Sequence, residues 1–419
     1  MNNYKLSRSE IFLGDNKIKN RIVSSPISTN MANNDGSATK NIISYFGNLA
    51  SNEIGMVTVG ASSVSKEGGD ALNGMHIGKK IHENGLINLA NEILDKGSTP
   101  AIQIFHVGAQ GNTNYSNERI VGPSKYVVPD IGIVAEVLEI EEILKIENDF
   151  VEGIIQAFDC GFKLVEIHLG HGYLLHEFMS SHMNKRSDEY GGNKINRLRI
   201  VTNILSKLNN KSKTITKNMG ARISADDFID GGLDLRENKD LIKILDDNNF
   251  AYYSVTAGIY ETAKQKYIQM KEGSYWEYAY NLKKMTKTPV IAQGNITSVE
   301  MGETLLKKNM CDLFGMAQAL IADPALVKKS INNQESKIIP CLAHLKVGSC
   351  HRCRYLKQKD LTFDCITPSS WHRENLKNDN YSEKKEVAFW KMLEKLKEDI
   401  SGKKLADIEA IQKNFIKKF

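Results

Sequence analysis

Eight short apolar runs recur along the first 320 residues, and helix-like amphipathic stretches separate them. Within a run the apolar residues are nearly continuous, which is typical of strands that are buried on both faces of a parallel sheet. The clearest amphipathic stretch places Ile143, Ile146 and Phe150 at spacings of three and four and ends at Gly161. The eight runs are residues 22–26, 55–62, 100–107, 163–169, 220–225, 252–257, 289–294 and 312–317.

Eight strands that alternate with helices predict an α/β fold, the (β/α)8 TIM barrel, with functional side chains at the carboxyl ends of the strands. An open doubly wound sheet is the structural alternative. That fold needs a glycine-rich dinucleotide-binding turn after its first strand, and residues 26–30 (PISTN) contain no glycine. We therefore predict one barrel domain over residues 1–335.

The pattern changes beyond the barrel. A cysteine-rich segment is predicted over residues 336–370, and a helical tail over residues 371–419, where apolar residues such as Val387, Trp390 and Leu393 recur at helical spacing. Two roles for these amphipathic helices stay open, packing against the barrel or forming a contact between the subunits of a homo-oligomer.

Charge and hydropathy exclude several classes of protein. The 55 basic and 50 acidic residues give a net charge of only +5, too even a mixture for a nucleic-acid-binding surface. No apolar run reaches 18 residues and the amino terminus does not resemble a signal peptide, so no membrane partner is expected. We expect a cytoplasmic protein that acts on a small molecule.

The fourth apolar run leads directly into His168, His171 and Tyr173, which are the predicted catalytic residues. Two neutral imidazoles three residues apart can each donate an N–H group to one carbonyl oxygen, and a nearby phenol can protonate a neighbouring carbon. A buried histidine pair and a zinc site with His176 and His182 are the alternatives. No carboxylate is spaced as in known zinc motifs, which favours catalysis.

The segment HLGHGYLL at residues 168–175, followed by NKRSDEYGG at 184–192, resembles the signature of the old yellow enzyme family of FMN-dependent ene-reductases. Further matches are RIVSSP at 21–26, QIFHVG at 103–108 and IADP at 321–324, so that the resemblance extends over about residues 5–330. It implies a TIM barrel that binds FMN, takes hydride from NAD(P)H and reduces an alkene conjugated to a carbonyl group, an enone-type substrate.

The resemblance also implies the cofactor-binding residues. Ser28 matches a position near the flavin O4 and N5 atoms, Gln103 one at the pyrimidine edge, and Arg222 one near N1 and O2, where a cation stabilises the reduced ring. An ordinary loop serine and a salt bridge at the barrel rim are the alternatives for Ser28 and Arg222. The remaining positions are Ser25, Pro26, Ala61, Gly294, Asn295, Ala317 and Gln318.

Gln318 departs from the family pattern, because most relatives place an arginine there on the flavin phosphate. The loss of such a charge-assisted contact weakens binding by about 1.5–3 kcal/mol unless backbone amides or nearby lysines replace it.

Four cysteines, Cys341, Cys350, Cys353 and Cys365, lie within 25 residues and are predicted to bind a metal. Some family members carry a [4Fe–4S] motif just after the barrel, but His344 stands where that motif has its second cysteine, which favours zinc. Unliganded thiols are the other alternative. The chain ends at Phe419 without the dinucleotide-binding domain of those members, so no electron relay to a built-in FAD is expected.

Two functional hypotheses follow. In the first, NAD(P)H reduces FMN, hydride passes to the β-carbon of the alkene, His168 and His171 hold the carbonyl oxygen, and Tyr173 protonates the α-carbon. In the second, Gln318 and the altered cysteine spacing mark a non-catalytic barrel that binds partners through its tail. The joint presence of Gln103, Arg222 and the catalytic residues favours the enzyme.

Overall fold

The computed structural model describes residues 4–111, 119–128, 132–262 and 275–341, together with five positions near the carboxyl terminus, Cys365, Thr367, Ser370, Trp371 and Asn375. The eight apolar runs form the strands of a parallel barrel, which closes where the first strand pairs with both the second and the eighth. The predicted TIM barrel is therefore confirmed. Its strands are Ile22–Ser24, Met56–Ser63, Thr99–Phe105, Leu164–Leu169, Met219–Ser224, Tyr252–Thr256, Val290–Ala292 and Leu313–Met316.

Helices follow the strands and cover the barrel. The helix Ile140–Asp159 buries Ile143, Ile146 and Phe150, the residues whose spacing predicted it. At its start the Glu142 carboxylate accepts a hydrogen bond from the backbone N–H of Glu139 at 2.8 Å, which satisfies one unpaired donor. The described α-helices are Lys40–Ala50, Glu83–Asp95, Ile140–Asp159, Leu174–Met179, Lys194–Arg197, Arg199–Lys211, Lys239–Asp247, Trp276–Lys283, Val299–Lys307, Gln318–Ala322 and Leu326–Ile331.

A hairpin of Ile11–Leu13 and Asn16–Ile18 closes the amino-terminal end of the barrel. Leu13 and Ile18 are fully buried, in one cluster with Met56, Leu164 and Leu313 from the starts of barrel strands. The opposite, carboxyl-terminal end is therefore where a site can open. Two short strand pairs flank this end: Met75–His76 beside the second strand, and Val121–Gly122 with Glu136–Val137 after the third.

Residues on both sides of the predicted boundary between the cysteine-rich segment and the tail pack against the barrel. The indole N–H of Trp371 donates to Ser44 Oγ at 3.1 Å, and its buried ring meets Tyr45 edge-on. Thr367 donates to the carbonyl oxygen of Ala322 at 2.8 Å. Cys350, Cys353 and the apolar tail positions Val387, Trp390 and Leu393 lie outside the described residues. Within the described ranges, none of the helices has the length and apolarity to cross a membrane.

Candidate active site

A cavity of about 250 Å³ opens at the carboxyl ends of the strands, where the barrel fold predicted the site. Gln103, His168, Tyr173, Ser28 and Ala61 are not among the lining residues. The predicted residues that line the cavity are Ser25, Pro26, His171, Arg222, Gly294, Asn295, Ala317 and Gln318. Thr256, Tyr275 and Gln293 also line it and were missed, since nothing in their local sequence separates them from ordinary strand-end residues.

His168 and His171 face each other at the end of the fourth barrel strand. The Nε2 atom of His168 lies 3.1 Å from Nδ1 of His171. Burial and the neighbouring Arg222 cation lower the pKa of His168 well below its ordinary value, so this imidazole is neutral at pH 7. Its Nδ1 atom accepts the backbone N–H of Gly170 at 3.1 Å, which puts the single ring proton on Nε2.

A strained turn presents His171. Its φ is +60°, which L residues rarely adopt, and Gly172 follows at +77°. Gln110 clamps the turn by donating to the carbonyl oxygen of His171 at 2.8 Å. His176 clamps it from behind, because its Nδ1 accepts the Gly172 N–H at 2.9 Å and its Nε2 lies 2.9 Å from a carboxylate oxygen of buried Asp227. His176 therefore positions the turn, and the zinc alternative for this residue has no support.

Tyr173 is 8% exposed and lies against the imidazole pair. Its ring contacts that of His168 edge-on, with 4.8 Å between the centroids. Its hydroxyl lies 3.3 Å from the hydroxyl of Tyr260. Burial, reinforced by Tyr260, raises the pKa of Tyr173 well above 10, so the phenol keeps its proton at neutral pH.

A polar layer crosses the barrel beneath these residues. Gln103 donates to a carboxylate oxygen of Glu166 at 2.6 Å, and Gln293 donates to Ser254 Oγ at 2.5 Å. Burial raises the pKa of Glu166, while the Arg222 cation opposes that rise. Glu166 was missed as part of the site, although a carboxylate inside the apolar sequence VEIHL is a signal that it has polar partners.

The sequence profile of the NADH:flavin oxidoreductase / NADH oxidase family matches residues 10–337. The chain belongs to this family. It is 30% identical to an NADH oxidase of Thermoanaerobacter brockii over 341 residues, which are 80% of this chain and 52% of that protein, so it spans about half the length of that relative. It is 26% identical to the NADPH dehydrogenase of Bacillus subtilis, with 78% of this chain and 95% of the relative covered.

Solved structures share the fold. A 2-naphthoyl-CoA reductase in complex with 2-naphthoyl-CoA superposes with a TM-score of 0.81 at 24% identity, covering 89% of this chain and 58% of that one. An old yellow enzyme homologue from Zymomonas mobilis gives 0.67 at 21% identity, covering 78% and 92%. The predicted membership of the old yellow enzyme family is confirmed. The chain thus belongs to a family named for NADH:flavin oxidoreductases and NADH oxidases.

The cavity fits FMN on two counts. Arg222 lines it, and the guanidinium Nε is buried with no hydrogen-bond partner among the described residues. A buried, unpaired donor on a cation is costly unless an acceptor from a ligand completes it. The second count is the side-chain amide of Gln293, which also lines the cavity. A guanidinium donor and a polar amide suit a planar ring that carries carbonyl oxygens and becomes anionic on reduction.

Ser28 does not line the cavity in this structure. Its hydroxyl donates to an Asp70 carboxylate oxygen at 3.2 Å and accepts the backbone N–H of Ala61 at 3.3 Å. The predicted contact between Ser28 and the flavin stays a prediction.

The predicted metal site cannot be assembled from the described residues. Cys341 and Cys365 are described, but Cys350 and Cys353 are not. Elsewhere in the described chain, no group of three or more His, Cys, Asp or Glu side chains is arranged to hold a metal ion.

Proposed function

We propose that this chain uses NAD(P)H and FMN to reduce a carbon–carbon double bond conjugated to a carbonyl group. The observation that carries the proposal is the pair of imidazole nitrogens, 3.1 Å apart, beside a buried phenol at the mouth of the barrel. Two ring nitrogens this close suit a single oxygen atom when both carry a proton, and a phenol at their edge suits a carbon two bonds away.

His168 and His171 would bind the carbonyl oxygen. His168 is neutral, so it donates its Nε2 proton without adding charge to a cavity that Arg222 already makes positive. Negative charge grows on the oxygen as hydride reaches the β-carbon, and hydrogen bonds to that oxygen strengthen in the transition state.

Tyr173 would donate the proton to the α-carbon. Burial raises the pKa of its phenol, which keeps the acid protonated over the neutral range. Hydride at the β-carbon and this proton at the α-carbon together complete the saturated product. Solvent then returns the proton to Tyr173.

Arg222, Gln103 and Gln293 would hold FMN, with Ser25, Pro26, Gly294, Asn295, Ala317 and Gln318 around it. Bound FMN would supply the acceptance of hydride from the nicotinamide and its delivery to the substrate. Ser28 and Ala61 belong to the same proposed set.

Replacement Tyr173→Phe tests the assignment. Reduction of the flavin by NADH or NADPH should proceed at nearly the wild-type rate, whereas reoxidation by an enone should slow by about 10²–10⁴, the scale of lost general acid catalysis. Stopped-flow absorbance under anaerobic conditions measures the two half-reactions separately. Equal slowing of both would instead make Tyr173 a residue that orients the flavin.

The alternative, a non-catalytic barrel that binds partners through its tail, predicts that the purified protein contains no flavin. It would be colourless after purification and would take up no added FMN. The enzyme should be yellow, and its flavin absorbance should bleach with NAD(P)H.

For the carboxyl-terminal segment we propose a tetrahedral thiolate site of Cys341, Cys350, Cys353 and Cys365, with zinc ahead of a [4Fe–4S] cluster. His351, Arg352 and Arg354 support it, because cations lower the pKa of neighbouring thiols and so favour the thiolates that ligate metal. Elemental analysis of anaerobically purified protein decides between them. One zinc per chain supports the proposal. Iron with acid-labile sulfide would show a [4Fe–4S] cluster instead of zinc, and the absence of both metals would refute the site.

A further inference from the structure

The hydrogen-bond chain of the imidazole pair ends at Thr256, the last residue of the sixth barrel strand. Thr256 Oγ1 lies 2.6 Å from Nε2 of His171, and the residue is buried. Thr256 stands on a different strand from the histidines, so the barrel itself fixes this contact.

The hydrogen bonds assign the ring protons of His168 and His171. The Nδ1 atom of His168 accepts from Gly170, so His168 donates through Nε2 and the facing Nδ1 of His171 accepts. The proton of His171 is then on Nε2 and points to the Thr256 hydroxyl. In this arrangement His171 offers no donor towards its neighbour.

A carbonyl oxygen bound by both imidazoles needs the other arrangement, in which His171 carries its proton on Nδ1. Its Nε2 atom must then accept a hydrogen bond rather than donate one. A hydroxyl serves both arrangements, because it can accept a hydrogen bond from Nε2–H and, after rotation, donate one to an unprotonated Nε2. Exchange with solvent in the cavity moves the proton, and the proton count of His171 stays the same.

We propose that Thr256 is a positioning residue that stabilises the Nδ1–H tautomer of His171 when the substrate oxygen binds. The proposal rests on the proposed function, since it assigns the oxygen to both imidazoles. Protonation of both nitrogens is the competing arrangement, and it would add a second cation to the cavity that Arg222 lines. The hydroxyl removes the need for that charge.

The test compares Thr256→Val, which keeps the shape and loses the hydroxyl, with Thr256→Ser, which keeps the hydroxyl and loses the methyl group. The probe is 4-hydroxybenzaldehyde, titrated into the purified holoenzyme and followed by its charge-transfer absorbance with the flavin. We expect affinity to fall at least about tenfold in the valine variant and to stay within about twofold of wild type in the serine variant. Flavin content should be equal in all three proteins. Equal affinities, or equal losses in both variants, would overturn the proposal.

Nitrogen-15 NMR of histidine-labelled holoenzyme reads the tautomer directly. On addition of the phenol, the protonated nitrogen of His171 should change from Nε2 to Nδ1 in wild type and in Thr256→Ser, but not in Thr256→Val. A His171 that keeps Nε2–H with ligand bound, or becomes doubly protonated in wild type, would refute the role of Thr256. If wild type shows this change and yet reduces no enone, the proposed function fails while the tautomer assignment stands.

Discussion

The two sides of the barrel mouth are built from different kinds of contact. On the side of strands four to six, side chains hold side chains: His168 meets His171, His171 meets Thr256, and His176 meets Asp227. On the side of strands seven and eight, turns and small or uncharged residues line the cavity, and Gln293 donates to Ser254. There Gly294 and Asn295 adopt φ values of +90° and +56°, and the cavity lining that the structure describes includes no Lys or Arg from these strands.

The difference follows from what each side has to do. A proton donated to a substrate must sit on a particular nitrogen or oxygen, and only fixed side-chain partners determine that. A phosphate group can be bound by backbone N–H groups, which any sequence supplies once the turn is formed. We therefore expect substitutions on the imidazole side to change ligand chemistry, and substitutions on the opposite side to change cofactor affinity.

The largest effect should come from the double variant His168→Ala, His171→Ala. Each hydrogen bond to a developing oxyanion contributes about 1.5–3 kcal/mol, so affinity for phenols should fall by about 10²–10⁴. Flavin content should persist, because Arg222 and the amides of the polar layer remain. Titration of the charge-transfer absorbance measures the affinity. Unchanged phenol binding would show that the imidazoles are not the oxygen site.

A gain of function on the opposite side sharpens the comparison. Gln318→Arg introduces the cation that most relatives place on the phosphate, and FMN should bind about 10- to 150-fold more tightly, from a charge-assisted contact of about 1.5–3 kcal/mol. Fluorescence titration of the apoprotein with FMN measures it. Gln318→Met is the matched control and should not tighten binding. If the arginine variant also binds no more tightly, the phosphate does not lie beside position 318.

The difference between the two sides also explains what the sequence could predict. All eight strands were found, because burial on both faces leaves a continuous apolar run in each. His168, His171 and Tyr173 were found because they form one local segment. Thr256 and Asp227 were missed since each acts through a contact with a residue more than 50 positions away, and such a contact leaves no local signal.

The contact between His176 and Asp227, which holds the His171 turn, can be weakened without changing the imidazole pair itself. Asp227 Oδ2 faces His176 Nε2 and also accepts the N–H of Leu233 at 2.7 Å, so the amide oxygen of Asp227→Asn would take that position. The variant keeps both contacts but loses the negative charge that strengthens them and holds the His176 proton on Nε2. We expect a loss of about 1–3 kcal/mol in the free energy of unfolding, measured by urea denaturation, and weaker phenol binding. Asp226→Asn is the neighbouring control, because Asp226 bonds Tyr278 instead and should leave phenol binding unchanged. Unchanged phenol affinity in Asp227→Asn would show that the contact between His176 and Asp227 does not position the imidazole pair.

The smallest effect on the site, a change in the pH dependence of stability with unchanged phenol binding, is expected at Glu177. It is buried, one of its oxygens accepts the N–H of Ala109 at 2.8 Å, and burial raises its pKa well above the ordinary value. The unfolded chain therefore loses this proton at a lower pH, near 4.3, while the folded chain holds it, so the stability that Glu177 contributes falls as pH rises above that value. Glu177→Gln keeps the acceptor and cannot ionise. The variant should match wild type in free energy of unfolding near pH 4 and exceed it as the pH rises above that value, and parallel pH curves would show that the pKa of Glu177 is not raised in the folded protein.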